Sequence, residues 1–259
     1  MDPRRRACLR AMGIDLWVPK AGSEQRAGHE GFEQEALDAA DVLSLGEAPV
    51  TIQAERSSPG IETATTFGAL DAVSDLGWDE LRETAVNCHN CDLHQTRTQV
   101  VFGVGNRNAS LMVVGEAPGA DEDRQGEPFV GRAGLLLNAM LESIGFARDQ
   151  VYIANIIKCR PPGNRDPHIE ETAACQPFLH RQIALLQPQL ILSVGRVSAH
   201  NLLGTEESVG RLRGRVHRFD PGDIPLIVTY HPAYLLRRPQ EKSKAWQDLQ
   251  AVHRQLSQA

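Results

Sequence analysis

No apolar run in the 259 residues approaches the roughly 18 that a membrane-crossing helix needs, so no membrane partner is expected. Residues 1–10 hold several basic side chains but no apolar segment follows them, so no secretory signal is expected and the cytoplasm is the expected compartment. Without an oxidising compartment, a disulfide framework is not expected from Cys8, Cys88, Cys91, Cys159 and Cys175. There is no internal repeat. An excess of positive charge is also missing: the formal charge is −6. That charge is uneven, because residues 1–80 hold 15 Asp and Glu against 7 Lys and Arg, while residues 81–259 hold 18 against 20. A field covering the whole surface and aimed at a polyanion is excluded, and any nucleic-acid site must be a local patch.

Residues 20–75 are rich in Ala, Glu, Asp, Ser and Gly, with Phe32 and Phe67 their only aromatics. Such a composition buries too little apolar surface to offset chain entropy. Residues 1–77 are therefore read as a largely disordered extension. Its residues 8–19 hold Leu9, Met12, Ile14, Leu16 and Trp17, which could form a docking peptide or a small helix, or pack on their own domain.

From residue 78 the pattern is that of a folded domain. Apolar runs at 110–115, 151–157, 190–194 and 226–230 read as four buried strands, with 211–219 a further strand or hairpin. Helical spacing marks 134–144, 168–186, 196–203 and 241–256. Strand and helix alternate, which predicts an α/β fold: a three-layer α/β/α sandwich around a central, mostly parallel four-stranded sheet. In such sheets the ligand lies beyond the carboxyl ends of the strands. The residues just past those ends are Glu116 to Gly119, the neighbourhood of Asn155, Gly195-Arg196 and His231-Pro232-Ala233, so these separated segments should converge.

Each candidate has a plain and a functional reading. Glu116 is a surface acid or a pocket carboxylate. Phe129, between Pro128 and Gly131, is core or a face for stacking a flat ring. Asn155 caps a loop or reads a base edge, whose donors and acceptors an amide complements. His231 is structural, or else it belongs with Leu235, Leu236, Arg237 and Arg238 to an exposed loop that touches DNA. There the leucines would wedge into the base stack and the arginines would hold phosphates. Arg211, Arg213, Arg215 and Arg218 are a solvated strand face or a second basic patch. Cys88-x-x-Cys91 with Cys159 and Cys175 suits zinc or an iron–sulfur cluster; spacing alone does not choose, although a compact zinc ribbon would favour a second C-x-x-C and none is present. Cys8 is an ordinary thiol.

Residues 88–256 resemble the family 4 uracil-DNA glycosylases. The likeness is carried by Cys88-x-x-Cys91, Gly115-Glu116-Ala117-Pro118-Gly119, residues 122–134 (EDRQGEPFVGRAG), Asn155 with Lys158-Cys159-Arg160-Pro161-Pro162-Gly163-Asn164-Arg165, and His231-Pro232-Ala233-Tyr234-Leu235-Leu236-Arg237. The resemblance implies a [4Fe–4S] cluster on Cys88, Cys91, Cys159 and Cys175. It implies a uracil pocket in which Phe129 stacks, Asn155 reads the amide edge, His231 contacts O2, and Gly115, Glu116 and Ala117 complete the wall. It implies a monomeric enzyme that hydrolyses deoxyuridine in DNA and starts base excision repair. A histidine-containing insertion of relatives that cross-link to uracil is lacking, and Ala117 stands where other families place a water-activating Asp, which leaves Glu116 as the candidate. No step needs a Lys nucleophile, so no β-lyase activity is expected. Two rivals are a DNA-binding iron–sulfur module without uracil release, and a glycosylase for hypoxanthine or xanthine.

Overall fold

The computed structural model describes residues 73–258, with Arg6 and Arg10 as isolated positions before them. The expectations for residues 8–19, for Cys8 and for most of the extension lie outside the described residues. Residues 73–77 already belong to the folded part. Val73 is buried, and Leu76 packs on the same cluster as Leu81, Ala85, Phe102 and Phe178.

Six strands form one sheet: β1 (Val104–Gly105), β2 (Leu111–Gly115), β3 (Tyr152–Asn155), β4 (Leu190–Val194), β5 (Val216–Phe219) and β6 (Ile224–Thr229). Their spatial order is β1-β3-β2-β4-β6-β5. The middle four, β3, β2, β4 and β6, run parallel, and they are the four expected strands. The sheet has six strands and not four: β5 lies within the further strand or hairpin expected at 211–219, and β1 is the addition. A two-residue strand and one with two of its four residues exposed lie antiparallel at the two edges. Neither edge strand carries a continuous apolar run, because an edge is covered on fewer sides than a central strand.

The central strands are buried on both faces, and the two-residue period divides their side chains between two cores. Leu111, Val113, Ile153, Leu190, Leu192 and Ile227 point to one face. That face is covered by α3 (Arg132–Ser143), α7 (Pro232–Arg237) and α8 (Lys242–Gln258). Met112, Val114, Ala154, Ile191, Leu226 and Val228 point to the other. It is covered by α4 (Ile169–Leu186), α5 (Arg196–Leu203) and α6 (Val209–Leu212). Two further α-helices of the described domain are α1 (Trp78–Val86), which packs on α4, and α2 (Ala120–Gln125). Deleting a side chain such as Leu192 from such a sandwich costs about 2–5 kcal/mol. No helix among the described residues is long and apolar enough to cross a membrane.

The chain leaves β2 for β3 on one side and returns to β4 on the other. A crevice therefore opens at the carboxyl ends of the parallel strands. The basic run at 211–218 is largely spent on ion pairs: Arg213 with buried Asp248, Arg215 with Glu207, Arg218 with Asp223.

Candidate active site

The segments that leave β2, β3 and β6 enclose a cavity of about 440 Å³. Glu116, Ala117, Phe129, Asn155, His231 and Arg237 all line it. Gly115 lies beneath: a Cβ there would run into Asn155 Oδ1 and come 2.6 Å from Phe129 Cζ, so only glycine lets the amide and the ring close over the strand end.

Phe129 has φ 55°, a left-handed backbone that a non-glycine residue rarely adopts. Several contacts hold it there. Glu122 Oε1 accepts the N–H groups of Val130 (3.0 Å) and Gly131 (3.2 Å), while its Oε2 accepts that of Gly119 (3.1 Å). One carboxylate thus ties the turn after β2 to the Phe129 loop. Arg148 Nη2 donates to Pro128 O at 2.6 Å. Gly134 is required as well, since a Cβ there would strike the Phe129 carbonyl. The Phe129 ring ends 5.6 Å from the His231 ring, tilted by 30°.

His231 caps the amino end of α7, with Pro232 at the first helical position. Its Nδ1 accepts the Ala233 N–H at 3.1 Å. The ring proton is assigned to Nε2 by that bond, which leaves an N–H donor free for the cavity. Burial, aided by the Arg237 charge, lowers the imidazole to about 4, so it is neutral at ordinary pH. Asn155 is 2% exposed, and its Oδ1 is a buried acceptor without a partner among the described residues. A group of that kind calls for a donor from a ligand. Glu116 is pushed up to about 7, first by burial and then by Asp166, whose carboxylate hydrogen-bonds it; Arg196 opposes the shift. Asp166 in turn pairs with Arg196.

The expected DNA-contact loop is corrected to a helix, α7. Leu235 is 0% exposed, lies in the core under the sheet and cannot wedge into DNA. One turn of helix turns successive residues to different faces: Leu236 is half-buried at the core's edge, and Arg237 and Arg238 are exposed.

A second, small cavity is lined by Cys88, Cys91, Cys159 and Cys175, together with Arg97 and Lys158. Arg97 Nη1 donates to Cys159 Sγ at 3.1 Å, and the Lys158 main-chain N–H to Cys175 Sγ at 3.2 Å. Burial raises Cys91 and Cys159 and pushes Cys175 up to about 12. Among the described residues, no group of three or more His, Cys, Asp or Glu side chains converges as a single metal ion would require.

Sequence reasoning counted Glu122 in the family likeness without giving it a role, and missed Arg148 and Asp166. Glu122 had a local signal, the acid three residues after the helix-capping Gly119. Arg148 and Asp166 had none, because their partners lie far along the chain.

Residues 102–250 match the family model described as the uracil DNA glycosylase superfamily. The type-4 uracil-DNA glycosylase of Archaeoglobus fulgidus is 44% identical over 180 residues, 67% of this chain and 90% of that protein. The type-4 uracil-DNA glycosylase of Pyrobaculum aerophilum is 43% identical over 176 residues, 66% of this chain and 90% of its own. That of Thermotoga maritima is 44% identical over 156 residues, 60% and 81% of the two chains. This chain belongs to the uracil-DNA glycosylase superfamily and, within it, to the type-4 family.

Proposed function

We propose that this chain is a monofunctional uracil-DNA glycosylase of the cytoplasm, which hydrolyses the N-glycosidic bond of deoxyuridine in DNA and leaves an abasic site for base excision repair. The observation that carries this reading is the buried Oδ1 of Asn155, without a partner among the described residues, beside a fixed Phe129 ring and a neutral His231. Uracil, flipped from the stack at a cost of a few kcal/mol, supplies the missing donor. Its N3–H donates to Asn155 Oδ1, its ring stacks on Phe129, and its O2 accepts the His231 Nε2–H. As the C1′–N1 bond stretches, the electron pair moves into the uracil ring, and the His231 donor meets the charge that develops on O2. Glu116, as carboxylate, positions the water that attacks C1′ and takes up its proton. The products are uracil and an abasic deoxyribose. Leu236, Arg237 and Arg238 face the DNA.

The four cysteines are read as the ligands of a [4Fe–4S] cluster. Their shared cavity and the two N–H donors aimed at sulfur suit thiolates. Held by Cys88, Cys91, Cys159 and Cys175, such a cluster would supply a structural tie between the segment after α1, the loop after β3 and α4. A repair or replication protein recruited through the N-terminal extension and a monomeric state are part of the same proposal. A uracil-containing oligonucleotide incubated with the full chain and then treated with alkali should break at U and not at T; DNA bound without any break at U overturns the reading.

A further inference from the structure

Lys158 is 2% exposed, among the largest fully buried side chains of the fold. Its Nζ donates to Asn155 O at 2.9 Å and to Gln182 Oε1 at 2.7 Å. Both acceptors are neutral, and no carboxylate among the described residues pairs with it. Gln182, also fully buried, is held by the Phe102 carbonyl (2.9 Å) and the Tyr152 hydroxyl (3.2 Å), so the ammonium is fixed from both ends. A buried cation needs an anion nearby, because two dipoles do not replace the lost hydration. The candidates are the sulfurs. Lys158 lines the cavity of Cys88, Cys91, Cys159 and Cys175, and its own N–H points at Cys175 Sγ.

We infer that Lys158 is the internal counter-ion of the four-cysteine centre and, through the same ammonium, the positioning residue that fixes the main chain of Asn155. The inference rests on the reading of those cysteines as a thiolate centre. A four-thiolate iron–sulfur cluster is an anion whose potential follows nearby charge and hydrogen bonds. Arg97 also reaches Cys159, but it is half-exposed and its second nitrogen is bound to Val86 O at 2.8 Å. Lys158 is the inward-facing cation, and it joins the cysteine centre to the residue that reads the base.

The test compares the full chain with Lys158→Met and Lys158→Arg, measuring iron and sulfide per folded chain, the midpoint potential, and the inhibition constant of free uracil. Met keeps the volume and removes the charge; Arg keeps the charge. Reduction adds negative charge, so loss of the cation should move the potential of Lys158→Met to more negative values. Iron should be held about ten- to a hundredfold less tightly in that variant, and free uracil should inhibit more weakly. Lys158→Arg should restore the potential. If Lys158→Met does not fold, Lys158→Gln repeats the comparison with hydrogen bonding kept and charge removed. Wild-type iron content and potential in the uncharged variant overturn the inference alone. A wild-type chain without iron overturns the cluster reading, and the inference with it.

Discussion

His231 acts uncharged. The Ala233 N–H occupies Nδ1, and burial with Arg237 nearby holds the ring near 4, so Nε2–H is a neutral donor throughout the working range. Glu116 is different, since its value of about 7 places its titration in that range. The carboxylate is the working form and is lost as pH falls. Hence kcat/KM should rise as pH passes about 7, with no separate inflection from His231 near the ordinary imidazole value of about 6.5. Asp166 helps to raise Glu116, so Asp166→Asn should move the inflection to lower pH; a pH–rate profile checks both. At Asn155 the substitution to Asp replaces an amide by an acceptor-only carboxylate. Cytosine offers an amino donor where uracil offers O4, so release should shift toward cytosine; unchanged preference on paired oligonucleotides would sink the assignment. Glu116 and His231 were legible in the sequence because each follows the end of an apolar run, and Asn155 because it is an amide set inside one. Asp166 was not, because nothing in its local pattern says that it meets Glu116.

At the scale of elements, the four parallel strands were readable because strands buried on both faces are nearly continuous apolar runs. The edge strands lack that signal. The segment after β6 read as a loop, yet Pro232 at the first helical position and the His231 cap start a helix there. The helical turn divides two adjacent leucines between core and rim, which sequence adjacency alone does not reveal. Leu235→Ala should therefore lower stability by about 2–5 kcal/mol with catalysis per folded molecule kept. Leu236→Ala should leave the melting temperature near wild type and reduce uracil release from duplex more than from single-stranded DNA, because only the duplex needs a wedge to replace a flipped base. Thermal melts and paired duplex and single-strand assays separate the two.

For the whole molecule, the split in charge holds a clue that the total conceals. The acidity belongs to residues 1–80, and the described domain exposes Arg237 and Arg238 side by side, the kind of local patch that the proposed DNA contact requires. The composition change at 78 marked the domain only approximately, since Val73 and Leu76 are small additions to an otherwise polar stretch. A chain that starts at Trp78 loses the burial of Val73 and the Arg181–Leu76 hydrogen bond, and should be about 1–3 kcal/mol less stable than one that starts at residue 73, read as a lower denaturant midpoint. The most direct test of the pocket is single-turnover release of free uracil from a uracil-containing oligonucleotide by the full chain and by His231→Ala. The expected result is one uracil per abasic site from the wild type, and a rate about 10²–10³ lower without the imidazole donor. No free uracil from the wild type, or an undiminished rate in His231→Ala, would contradict it.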